Sequence, residues 1–133
     1  MDQIVQKFLN SQSVAVEYPG SILDSITNSA APEHVANIIR MANGQFRLDP
    51  LQISHWHDTS VVRIGPPEHL NAGETWVGTI HSHPQLPSEV LAQSEGYDLR
   101  TARAFRGINR NFTASYVVGP SGVGPYVGVT DSL

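Results

Sequence analysis

The sequence contains no cysteine, and only one of its 133 residues is a lysine. A chain without cysteine forms no disulfide, offers no thiolate to a metal and has no cysteine nucleophile. Any metal site must therefore use nitrogen and oxygen ligands. No apolar run approaches the ~20 residues needed to cross a bilayer, and the N-terminal "MDQIVQKFLN" is too polar for a signal peptide. These absences predict a soluble, cytoplasmic protein that does not act on a membrane.

Positive charge is also scarce, since the formal net charge is −4. The arginines are scattered apart from one group between Arg100 and Arg110. A nucleic-acid surface normally carries a basic stripe, so a nucleic-acid partner is not expected. Hydrophobic residues make up 40% of the chain and charged residues 15%, which argues against disorder. The length predicts one domain covering residues 1–133.

The periodicity of apolar residues changes between the spacing of helices and that of strands. Three segments are predicted as helices: 1–10, which is alternatively a leading arm, 21–30 and 97–108. Strands are predicted in 13–19, on both sides of the Asn43-Gly44 turn within 33–54, in 60–67, in 74–83 and on both sides of a turn within 112–131. This order favours a mixed α/β or α+β domain over a doubly wound parallel sheet.

The segment "GTIHSHPQLPSEVLAQSEGYD", residues 78–98, contains the strongest candidate for a chemical site. His81 and His83 stand two residues apart at the end of a predicted strand, so their side chains should share a face. Pro84 ends the strand there. Asp98, near the start of the next helix, is a candidate third ligand. Two histidines, one aspartate and a water would complete a tetrahedral catalytic Zn²⁺ site.

This combination resembles the JAMM (MPN-type) zinc metalloprotease family. The family pattern is an upstream glutamate, then His-x-His-Pro, six residues, Ser, two residues and Asp. The resemblance covers roughly residues 14–127 and rests on "HSHP", on the later "DLRTA" and on the order of the elements. It implies a curved mixed sheet flanked by two main helices, with the layering of MPN and cytidine deaminase domains. It also implies a hydrolase of peptide or isopeptide bonds, with peptides or ubiquitin-like proteins as substrates.

By position, the resemblance makes Glu33 the general base and Ser94 the catalytic serine. Glu33 lies 48 residues before His81, in "EHVA" where the family has Glu-x-x-Gly. Ser94 follows Pro84 after nine residues rather than six, and Ser88 is the alternative. Three other glutamates compete for the role of base: Glu17, Glu68 and Glu74. Glu74 stands an odd number of residues before His81, which in a regular strand would place it on the opposite face.

Other sites and other functions remain open on the sequence. His55 and His57 form a second i, i+2 pair beside Asp58 and compete for a metal. The same site would also serve a hydrolase of cell-wall or phage-tail peptides. A third alternative is a non-catalytic MPN-type interaction module, although such a scaffold has no need of His81, His83, Asp98 and Glu33 together. Neither the oligomeric state nor a partner that supplies specificity follows from the sequence.

Overall fold

The computed structural model describes residues 2–28, 31–49, 51–53, 66–83, 98–120 and 127–131, with backbone alone for 2, 98–101, 120 and 127–131. Helices and strands are mixed along the chain, as the periodicity predicts for an α/β or α+β domain. In chain order the elements are α1 (Asp2–Asn10), α2 (Ile22–Ile26), β1 (His34–Arg40), β2 (Phe46–Leu48), β3 (Gln52–Ile53), β4 (Thr75–Ser82), α3 (Asp98–Ile108), β5 (Ala114–Pro120) and β6 (Val127–Asp131).

The strands of these described segments form one mixed sheet. Its order is β2-β1-β4-β5-β6, and β3 pairs with β1 as well. Among the strands of the described residues, only β4 and β5 run parallel, and the other pairs are antiparallel. A parallel pair needs a crossover to return the chain to the same edge, and α3 lies in the connection between β4 and β5. Because β1 and β4 pair antiparallel, the end of β4 and the start of β1 lie at the same end of the sheet.

Helices cover both faces of this sheet. Ile38 and Ile39 are successive residues of β1, so their side chains point to opposite faces. Ile38 packs in a cluster with α1 and α2, whereas Ile39 packs with Trp76, Phe112 and residues of α3. The α1–α2 cluster is the larger core; its helix residues are Ile4, Val5, Phe8, Leu9, Ile22 and Ile26. A capping box at Ser21 starts α2, which satisfies two main-chain donors at its first turn.

The strand predicted in residues 13–19 is wrong. The segment is a loop, closed by an isolated bridge between Gln12 and Ser21. Two of its main-chain N–H groups donate hydrogen bonds to acceptors outside any neighbouring strand ladder. Tyr18 N donates to Ala15 O within the loop, and Val14 N donates to Nε2 of the His34 side chain. Alternating apolar residues predict a strand only if a partner strand accepts these donors.

A bulge in β4 changes which side chains face α3. Ile38 pairs with Gly78, but Ile39 pairs with Trp76, so Val77 is an extra residue in β4. As a result Val77 packs with the α1–α2 cluster, and Trp76 packs against α3. The Trp76 ring lies 4.9 Å from the Phe105 ring in an edge-to-face arrangement.

Replacing Gly78 with alanine is expected to destabilise the protein by about 1–3 kcal/mol. A Cβ at this position would lie 2.5 Å from the main-chain oxygen of Ala114, where β4 and β5 meet. The backbone of one strand must therefore move to admit it. Urea unfolding of G78A measures this cost, and G107A is the matched control because a Cβ on Gly107 meets nothing within 4 Å. Equal stability of the two variants would contradict the close approach of β4 and β5.

Candidate functional site

The two histidines lie where β4 ends, beside the start of β1. Val35 pairs with His81 in the antiparallel β1–β4 ladder. Extending this register by two residues in each strand sets Glu33 opposite His83. The main-chain N–H of His83 donates to Val118 O at 2.8 Å, so β5 holds His83 from the other side. Both histidine positions are thus fixed by main-chain pairing with neighbouring strands.

The two imidazoles face each other through their Nε2 atoms, which are 3.0 Å apart. Their ring centroids are 4.8 Å apart, and the planes are inclined by 60°. Two nitrogens bound to one zinc ion at 2.0–2.1 Å in tetrahedral geometry would stand about 3.3 Å apart. The donor pair therefore fits a shared cation. In a protein without metal, the same contact is a hydrogen bond from the protonated Nε2 of one ring to the other.

Glu33 is the carboxylate that accompanies this pair. Its Oε1 lies 3.6 Å from His83 Nε2, and its side chain is 27% exposed. This distance is too long for a hydrogen bond. Among the side chains that the structure describes, no three His, Asp or Glu residues form a group that could hold a metal ion. The side chain of Asp98, the predicted third ligand, is outside that set.

The position of Asp98 in the fold follows from the direction of α3. The C-terminal part of α3 lies against the start of β4, where Asn109 Nδ2 donates to Trp76 O at 2.8 Å. The helix must run opposite to the parallel strands β4 and β5, because it returns the chain between them. Asp98 begins α3, about 10 Å back along its axis from Phe105. The start of α3 is therefore displaced toward the end of the sheet that carries His81.

The remaining predicted candidates divide into two groups. Ser94, Ser88 and the second histidine pair, His55 and His57 with Asp58, lie outside the described residues. The rival bases Glu17 and Glu68 are described, and both are exposed in loops. Of the four candidate glutamates, Glu33 is the one that the structure brings to the histidine pair.

The carboxylate of Glu74, just before the start of β4, is engaged in hydrogen bonds with Arg47 and Asn71. Arg47 Nε donates to its Oε2 at 2.9 Å, and Arg47 Nη2 donates to its Oε1 at 2.7 Å. Asn71 N donates to the same Oε1 at 2.8 Å. The hydrogen bonds from Arg47, followed by that from Asn71, lower the pKa of Glu74 to about 2. Such a carboxylate is a poor proton acceptor, and it stands roughly 20 Å along the strand from His81.

The pair of Arg47 and Glu74 should stabilise the fold in a way that depends on pH. The folded-state pKa of Glu74, about 2, lies below its ordinary value of 4.5. The stabilisation is therefore complete above about pH 4.5 and is lost as the pH falls toward 2. We expect the difference in urea midpoint between the wild type and E74Q to be constant above pH 5 and to shrink at lower pH. A difference that stays unchanged down to pH 2.5 would contradict this.

Sequence reasoning missed two buried polar residues directly beneath the site. Ser82, between the two histidines, is 1% exposed, and its Oγ accepts the main-chain N–H of His34 at 2.9 Å. His34 is fully buried; its Nε2 lies 2.9 Å from Ser13 Oγ and accepts the Val14 N–H at 3.2 Å. The sequence does predict that Ser82 faces away from the histidines, because successive strand residues alternate. Its partner could not be predicted without the β1–β4 register.

His34 is a neutral imidazole in this arrangement. Its Nε2 accepts a hydrogen bond, so the ring proton resides on Nδ1. Burial lowers the pKa of His34, and the nearby Pro32 carbonyl opposes that effect in part. Within the described residues Nδ1 makes no hydrogen bond of normal geometry. A buried histidine tied in this way serves the structure around the site rather than proton transfer at it.

Comparisons with other proteins add no assignment. No protein-family model matches this chain, and neither a curated protein nor a solved structure does so. Within the described residues, no helix is long and apolar enough to cross a membrane.

Proposed function

We propose that this protein is a zinc-dependent hydrolase of peptide or isopeptide bonds, of the JAMM (MPN) type. The observation that carries the proposal is the pair of facing Nε2 atoms of His81 and His83, 3.0 Å apart, with the Glu33 carboxylate 3.6 Å from one of them. A mixed sheet with helices on both faces also supports the proposal. His81, His83 and Asp98 would hold the ion.

Zinc would supply a Lewis acid that polarises the scissile carbonyl and lowers the pKa of water at the site. The protein supplies the rest of the chemistry. Glu33 would accept a proton from the attacking water and deliver it to the leaving amine. Its partly exposed side chain lies beside the ligand atoms, with Oε1 3.6 Å from His83 Nε2. Ser94 or Ser88 would donate to the developing oxyanion.

The substrate would be an extended peptide segment that reaches the end of the sheet. Peptide and isopeptide bonds are both secondary amides, so the same site could hydrolyse either bond with Glu33 as the base. The ubiquitin-like conjugates are proposed from the resemblance to the family, and the cell-wall or phage-tail peptides are the alternative substrate class. No membrane or nucleic-acid partner is included in the proposal.

Metal analysis followed by a substrate panel tests this function. The purified protein should contain one equivalent of zinc, lose turnover on treatment with a chelator and recover it on addition of zinc alone. The panel should include linear peptides, isopeptide-linked ubiquitin-like conjugates and cross-linked cell-wall peptides. A protein that takes up no zinc, or that cleaves nothing in the panel when loaded with zinc, would overturn the proposal.

A further inference from the structure

Ser82 and His34 connect the two segments that carry the candidate site. Ser82 stands between His81 and His83, and His34 directly follows Glu33. The hydrogen bond from His34 N to Ser82 Oγ joins residues 48 positions apart, one residue beyond the last main-chain pair of β1 with β4. One side-chain hydrogen bond therefore ties the segment that bears the carboxylate to the segment that bears the histidines.

The side chain of His34 also fixes the segment that carries Glu33, through hydrogen bonds with residues 13 and 14. The Nε2 atom of His34 forms hydrogen bonds with Ser13 Oγ at 2.9 Å and with the Val14 N–H at 3.2 Å. Ser13 Oγ in turn accepts a hydrogen bond from the Ala15 N–H at 3.1 Å. These contacts explain why residues 13–15 form a loop instead of a strand. They also explain why a histidine stands at a fully buried position: an aliphatic side chain there would leave Val14 N without its acceptor.

We propose that Ser82 and His34 are positioning residues, which set the separation between the Glu33 carboxylate and the imidazole of His83; this rests on the proposed hydrolase function. The alternation of side chains in β4 places Ser82 on the face opposite to its neighbouring histidines. Neither residue touches the substrate side, so each acts through Glu33. Glu33 precedes the first residue of β1, and the hydrogen bond of His34 to Ser82 holds the chain at the point where it leaves the ladder.

The expected effect follows from the sensitivity of proton transfer to distance. A displacement of about 1 Å in a catalytic group can reduce the rate on the order of 100-fold. Zinc affinity should change little, because the strand pairing that fixes His81 and His83 remains. Loss of the Ser82 hydroxyl should therefore lower kcat and leave KM and zinc content near their wild-type values.

Ser82→Ala is the test, and Ser25→Ala is its matched control. Ser25 lies in α2, is 4% exposed and donates its hydroxyl to Ile22 O at 2.9 Å, so both variants lose one buried hydrogen bond. We expect similar decreases in Tm for the two variants. In zinc-loaded protein, S82A should lose about 10-fold or more in kcat, with KM unchanged within about two-fold, whereas S25A keeps its kcat. S82T, which retains Oγ, should recover most of the loss.

A second pair of variants spares Ser82 in case S82A fails to fold. His34→Gln keeps an oxygen acceptor for Val14 N, and His34→Leu removes it. We expect H34L to lower kcat and H34Q to restore most of it. An S82A kcat equal to that of S25A, in an active wild type, would overturn the positioning role alone. A wild type without zinc or without turnover would overturn the proposed hydrolase and this role with it, so the two failures are distinguishable.

Discussion

Replacing His81 with alanine is expected to abolish stoichiometric zinc binding and all hydrolysis. His81 and His83 are the nitrogen donors whose Nε2 atoms face each other at 3.0 Å, and removal of one leaves a single imidazole. The loss of affinity should exceed the roughly 10–100-fold that follows removal of a residue that only orients a ligand. Zinc content by elemental analysis, after reconstitution and dialysis, measures the effect. Circular dichroism should show that the variant is folded.

His69→Ala is the control for this experiment. His69 is exposed in the loop before β4, and its ring lies 3.1 Å from the side-chain oxygen of Asn71. Its removal should leave the zinc content at one equivalent. If H81A retained zinc, the ion would be held elsewhere, and His55 and His57 would be the next histidines to replace. Zinc lost equally from both variants would indicate surface binding rather than a built site.

The sequence predicts the local part of the candidate site well and the non-local part poorly. Strand alternation and Pro84 are sufficient to predict that His81 and His83 share a face at the end of a strand, and the facing rings are found there. The mixed α/β class is also confirmed. It could be predicted because helix and strand periodicities are visible within short stretches of sequence. The proximity of Glu33 to His83 required a family resemblance, since it depends on the pairing of β1 with β4.

The bulge in β4 illustrates what local reasoning cannot supply. An odd spacing separates Glu74 from His81, and in a regular strand this would put them on opposite faces. The extra residue Val77 reverses that parity, so the odd spacing does not place Glu74 on the face opposite to His81. Glu74 is still a poor candidate, but for a different reason: Arg47 holds both of its oxygens. Similarly, the alternation in residues 13–19 gave no sign that His34 accepts a main-chain donor from that segment.

Replacing Glu33 with glutamine is expected to leave zinc in place and to lower kcat by about 100- to 10,000-fold, the usual contribution of a general acid–base group. The amide is nearly isosteric with the carboxylate but cannot accept the proton of the attacking water. Glu33 is not one of the proposed ligands, and its Oε1 is 3.6 Å from His83 Nε2. The combination of a full zinc complement with a large loss of kcat therefore separates a base from a ligand.

Glu17→Gln is the matched control, because Glu17 is an exposed carboxylate in the loop of residues 13–19. It changes the net charge by the same amount as E33Q, so any effect of overall charge on substrate binding appears in both variants. We expect E17Q to retain wild-type kcat. Loss of zinc from E33Q would reassign Glu33 as a ligand, and full activity of E33Q would remove it from the mechanism. In the second case another group would accept the proton, and Ser88, Ser94 and Asp58, which lie outside the described residues, would be the next to replace.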